Sequence, residues 1–269
     1  MSAPLWHAIL AGVFASLACG LGVIPLMWRR LDPKQHAGIG YAAAGGLMVA
    51  ASVLNLILPA LQGNEGRSVE ELFSLWHEDG SGVGPVLIGV IVGALFLDIT
   101  GRLIEAKGLD ETLGLKLGGA TGLLIFLAMC LHSIPEGVAV GVGYVAGEAT
   151  YAHNPNLGHT IALAIAIHNI PEGLAVAIPL RAAGVSFHRC FWLAVLTSVP
   201  QPIAAVPAVL AAWFFAPLVG GLMGFAAGAM IFLVVKELIP EALERVSHTT
   251  TAWAFLLGFA GMTLVQVIL

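Results

Sequence analysis

The chain has 269 residues, 58% of them hydrophobic and only 10% charged, with a mean hydropathy of +0.93. So few charges cannot cover a water-facing surface, which excludes an ordinary soluble domain and makes a lipid bilayer the natural solvent. The net charge of −5 is spread over loops with no basic block, which excludes nucleic acid as a partner.

A spanning helix needs about 20 mostly apolar residues. Eight segments qualify: 5–28, 37–61, 83–103, 118–146, 158–180, 190–213, 216–239 and 251–269. The expected fold is therefore an all-α integral membrane protein of eight transmembrane helices, forming one domain over 1–269. The first segment follows Met1-Ser2-Ala3-Pro4, which lacks the basic start of a signal peptide, and it is long enough to span, so it reads as a retained helix. The second contains Met48 and Asn55. After it, the 62–82 loop gathers Glu65, Glu70, Glu71, His77, Glu78 and Asp79 and reads as a solvated acidic loop. In the seventh, Gly220, Gly224 and Gly228 stand four apart, a spacing that lets membrane helices touch. Cys19, Cys130 and Cys190 form no C-x-x-C pair and read as small packing residues.

The basic residues orient the chain. Arg29, Arg30, Lys34, Arg102, Lys107, Lys116, Arg181, Arg189 and Arg245 fall on one side of an eight-helix arrangement. Arg67 falls on the other, and Lys236 lies inside a helix. The rich side is cytoplasmic by the positive-inside rule, which leaves both termini outside. With no targeting signal and compact loops, the host reads as a bacterial-type inner, or plasma, membrane.

Ionisable groups inside a bilayer are expensive and mark function. The fourth helix carries His132-Ser133-Ile134-Pro135-Glu136-Gly137, and the fifth carries His168-Asn169-Ile170-Pro171-Glu172-Gly173. Val138-Ala139-Val140 and Leu174-Ala175-Val176 extend the repeat. Each copy puts His and Glu at i and i+4, on one face and one turn apart. Each lies near the middle of its span, so two imidazoles and two carboxylates can converge at mid-membrane. Pro135 and Pro171 donate no N–H, which frees the carbonyls of Leu131 and Ile167 and is expected to break both helices there. Two carboxylates in a low-dielectric site need a compensating cation. Mixed nitrogen and oxygen ligands suit Zn²⁺, Fe²⁺, Mn²⁺ or Co²⁺ and poorly suit Mg²⁺ or Ca²⁺.

These paired H-x-I-P-E-G motifs, the eight helices and the outward termini resemble the ZIP (Zrt-, Irt-like protein) family of metal transporters. The resemblance implies movement of a divalent transition metal toward the cytoplasm, Zn²⁺ first and Fe²⁺, Mn²⁺ or Cd²⁺ as further substrates. It implies helices that move relative to a static bundle, and a homodimer as one possible assembly. It implies a first metal position built from His132, Glu136, His168 and Glu172, with Met48 nearby. A second would use Ser133, Asn169 and Gln201 with the same glutamates. Asn55 joins the pathway, and Glu237 and Glu241 become exit ligands.

This sequence departs from the commonest family pattern, with Ser133 where Asn is frequent and Gln201 where Glu is frequent. The second position is thus neutral, and two carboxylates balance one divalent ion, so one tight metal is expected. Lys236 either pairs with Asp98 or leaves that carboxylate to Arg102. His7, His36, His77, His153, His159, His188 and His248 read as surface histidines rather than ligands. The competing functions are an intramembrane metalloenzyme and a metal sensor. The first is disfavoured because the sequence holds no H-E-x-x-H pattern and no third mid-membrane His.

Overall fold

Without water to bind its backbone, a chain in lipid must close its own hydrogen bonds, and long apolar runs do so as helices. The computed structural model describes residues 2–27, 33–62, 82–106, 120–148, 156–182, 184–214 and 218–268. Every regular element among them is helical. In chain order these are α1 (Ser2–Leu21), α2 (Pro33–Ala51), α3 (Leu58–Gln62), α4 (Val83–Ala106), α5 (Ala120–Glu148), α6 (Leu157–Ala182), α7 (Phe187–Ser198), α8 (Pro200–Phe214), α9 (Leu218–Leu233), α10 (Ile239–Leu243) and α11 (His248–Ile268). The acidic residues of the 62–82 loop, His77 and Lys107 lie outside the described residues.

Five stretches among the described residues are long and apolar enough to cross a membrane: Ala3–Met27, Gly38–Leu61, Val83–Leu103, Phe187–Phe214 and Val219–Leu243. The chain is a multi-pass membrane protein. Helices also stand where 118–146, 158–180 and 251–269 are expected, as α5, α6 and α11. Large apolar side chains project outward, as lipid requires. Leu87, Ile88, Ile91, Leu95, Ile99 and Leu103 form such a stripe along α4.

The helices depart from simple rods at three places, and proline explains each. A proline ring clashes with the carbonyl four residues back and offers it no N–H. Before Pro59 the helix widens into a π turn over Ser52–Ile57, and before Pro240 it does so over Val234–Leu238. At Pro200 and Pro202 the expected 190–213 helix divides instead, with Val199 between α7 and α8. The Ser16 hydroxyl on α1 lies 2.7 Å from the Ser198 carbonyl exposed there and 2.8 Å from that of Gly12, sharing one proton between them. The break expected at Pro135 and Pro171 does not occur: α5 and α6 run through both residues as α-helix. Packed neighbours support a helix across a missing hydrogen bond, so proline alone does not decide where one ends.

Glycines set how closely the rods approach. A Cβ at Gly93 or Gly89 would run into carbonyls of Phe225 or Gly221 on α9, and one at Gly224 or Gly228 into those of Val86 or Val90 on α4. The α4–α9 pair is thus in backbone contact, and the glycine spacing in the seventh predicted helix serves it. The α2–α11 pair repeats the device, with Gly46 against Phe255 and Gly258 against Ala43. Gly93→Ala should therefore destabilise the protein by about 1–3 kcal/mol through overpacking. Gly261, with nothing within 4 Å of its hypothetical Cβ, should accept alanine without loss. Thermal unfolding of the two variants in detergent tests the contrast.

Candidate metal centre

The repeated motif lies on α5 and α6, which pack together. The glycine that ends each copy seats its helix on a different neighbour. A Cβ at Gly137 would strike the Gln201 carbonyl of α8, and one at Gly173 the Cys19 carbonyl of α1. Each glutamate is thus one residue from a backbone contact, which holds it deep in the bundle. Glu136 is 0% and Glu172 3% exposed, and His168 is 0% exposed.

Ligand atoms of Glu136, His168 and Glu172 all lie within 4.8 Å of one another. His168 Nε2 is 3.2 Å from Glu136 Oε1. The side chain of His132 lies outside the described residues. Two orphan atoms face this small space. Among the described residues, His168 Nδ1 and Glu172 Oε1 are buried without a hydrogen-bond partner. A buried polar atom left unsatisfied typically costs about 1–3 kcal/mol. A cation would accept both lone pairs and offset two carboxylates crowded in low dielectric.

The neutral candidates form a separate polar layer beside the trio. Gln201 Nε2 donates to Glu136 Oε2. Gln201 Oε1 accepts from Asn169 Nδ2 at 3.2 Å, and the same amide donates to the Ala15 carbonyl of α1 at 2.9 Å. Gln201 therefore occupies one oxygen of Glu136 with a neutral donor. Ser133 is buried, and its hydroxyl turns back to the Met129 carbonyl of its own helix at 3.2 Å. Met48 is fully buried in the main apolar core on α2, which packs against α6.

The pathway candidates divide. Asn55 is 2% exposed in the first π turn, with neither amide atom partnered among the described residues. Glu241 is engaged by Arg245, whose Nη2 lies 2.6 Å from its carboxylate. Glu237 is half exposed and 3.9 Å from Lys236. Asp98 meets both of its candidate partners, Arg102 at 2.8 Å and Lys236 at 3.9 Å. Sequence reasoning missed the bridging role of Gln201. Its one available signal is an amide between two prolines inside an apolar run.

Gln201→Leu removes a donor to Glu136 and the acceptor for Asn169. The metal-free protein should lose about 1–3 kcal/mol for the buried groups left unsatisfied. A fall in unfolding temperature measured with chelator present checks this.

Comparisons with known proteins agree with this chemistry. The family described as ZIP Zinc transporter matches residues 105–266. The zinc transporter GufA of Myxococcus xanthus is 34% identical over 258 residues, covering 93% of this chain and 95% of that protein. The zinc transporter ZupT of Corynebacterium glutamicum is 32% identical over 266 residues, covering 94% and 95%. The human zinc transporter ZIP11 is 43% identical over 144 residues, covering 54% of this chain and 42% of its own length. With a family match over more than half its length and near full-length likeness to GufA and ZupT, this chain belongs to the ZIP zinc transporter family.

Proposed function

We propose that this chain carries a divalent transition metal, zinc first, across a membrane toward the cytoplasm. The observation that supports it most is the buried meeting of Glu136, His168 and Glu172, two carboxylates and an imidazole with orphan atoms facing one another. The names borne by GufA, ZupT and ZIP11 support zinc as the substrate. They favour neither the metalloenzyme nor the sensor.

In this reading the chain is one transmembrane domain over 1–269 that crosses eight times, the eight including α5, α6 and α11. The distribution of basic residues supports both termini outside, in an inner or plasma membrane. The ion is stripped of water and held by His132, Glu136, His168 and Glu172, with the Met48 thioether close by. The missing N–H groups of Pro135 and Pro171 leave backbone carbonyls available beside the site without ending the helices. Ser133, Asn169 and Gln201 form a neutral flank, and Asn55, Glu237 and Glu241 mark the way onward. Fe²⁺, Mn²⁺ and Cd²⁺ share enough ligand preference with Zn²⁺ to compete for the same centre.

Charge decides the number of ions. Glu136 and Glu172 balance one divalent cation, and Gln201 adds no charge while occupying a Glu136 oxygen. Zinc titration of the purified protein should reveal one tight site, with any second site at least about tenfold weaker; two equally tight sites would contradict this account.

Uptake into proteoliposomes tests the function itself. The intact chain should show saturable zinc entry. Glu136→Gln and Glu172→Gln should each lower it by about tenfold or more, since disturbance of even outer-shell partners has effects of that size. The double variant and His132→Ala/His168→Ala should be silent. Full transport by the double glutamine variant would sink the proposal.

A further inference from the structure

The three helices that meet at the metal centre meet again near the end of the bundle that holds the N-terminus. There α1 contributes His7, α5 contributes Tyr144 and α6 contributes His159. The ring centroids of His7 and His159 are 5.8 Å apart, and Tyr144 lies 5.7 Å from the first and 5.1 Å from the second. The phenol packs edge-on against His159 at 76°, which orients that imidazole. Both histidines are exposed, whereas Tyr144 is buried. They border a cavity of about 420 Å³ whose other walls include Leu10, Phe14 and Ala162. In a chain with 10% charged residues, two imidazoles at one polar mouth on two different helices are not explained by packing alone.

The spacing suits a shared ion. A Zn–N bond of about 2.0–2.1 Å puts an imidazole centroid about 3.2 Å from the metal, so two rings on one tetrahedral ion stand about 5 Å apart. The observed separation is within one rotamer adjustment of that value. No carboxylate among the described residues joins the pair, so an ion held here keeps several waters and its full charge. Binding at such a site is weak and quickly reversed.

Position gives the pair its meaning. Glu136 to Tyr144 is about 12 Å of helix rise, His159 to His168 about 13 Å, and His7 to Ala15 about 12 Å. The histidines thus form a second tier over the centre, on the same three helices. We propose that His7 and His159 form a capture site for a partly hydrated borderline divalent cation at the N-terminal face, ahead of the buried centre. This rests on the transport reading for its purpose, though not for its ligands.

Two measurements test it separately. In full-length Glu136→Gln/Glu172→Gln protein, zinc titration should still detect a weak site, and His7→Ala/His159→Ala should weaken it by at least about tenfold, as loss of ligands exceeds loss of their supporting partners. His7→Cys/His159→Cys should restore binding with a preference for Cd²⁺. In protein with the intact centre, His7→Ala/His159→Ala should raise the half-saturating zinc concentration for uptake several-fold while the maximal rate stays the same. Absence of the weak site, or a weak site indifferent to both histidines, overturns the proposal, as does an unchanged half-saturating concentration. If the intact chain shows no uptake at all, the transport reading falls and the titration alone decides the capture site.

Discussion

Backbone contact at two glycines is the constraint on which the rest of this molecule depends. Gly137 and Gly173 each follow a buried glutamate, and each rests on a carbonyl of a neighbouring helix. Any larger residue would push α5 from α8 or α6 from α1. The separation between Glu136 and Glu172 is therefore a property of helix packing, set by the absence of two side chains. Electrostatic repulsion between the carboxylates works against that packing. A site built this way holds its ligands together before the ion arrives, so little of the ion's binding energy goes into assembling it.

The repeated motif made the heart of the site legible in the sequence. Periodicity placed His and Glu on one face, and midpoint counting placed both copies at one depth. Helix positions were equally readable, because lipid demands long apolar runs. What could not be read was anything decided between helices. Gln201 stands between prolines on a segment remote in sequence from both motifs, and only the packed bundle turns its amide toward Glu136 and Asn169. His7 and His159 looked like separate surface residues for the same reason. Proline misled in both directions. It was expected to interrupt α5 and α6, where it does not, while the π turns at Ser52–Ile57 and Val234–Leu238 and the division at Val199 passed unnoticed. The local clash is the same at every proline, and the neighbours decide how it is relieved.

Charge inside the bundle is distributed by the same economy. Asp98 is shared between Arg102 of its own helix and Lys236 of the second π turn. The cation on that turn is thus compensated across the α4–α9 contact, well apart in sequence from the repeated motifs. Carboxylates elsewhere in the membrane-facing bundle have basic partners, as Glu241 has Arg245. Glu136 and Glu172 have only an imidazole and an amide within the described set, which distinguishes a site awaiting a cation from one already neutral.

The π turn at Ser52–Ile57 carries a consequence for how this chain can change in length. A widened turn holds one residue more than the helix around it would need. Deleting any one residue between Ser52 and Ile57 would restore regular geometry and, in doing so, rotate everything beyond it by about 100°. The face that Leu58–Gln62 now turns inward would swing toward lipid, and Asn55 would leave its buried position. Substitution within the turn is a question of size and polarity, but deletion there re-registers a whole helix end. The same reasoning applies to Val234–Leu238, where a lost residue would carry Lys236 away from Asp98.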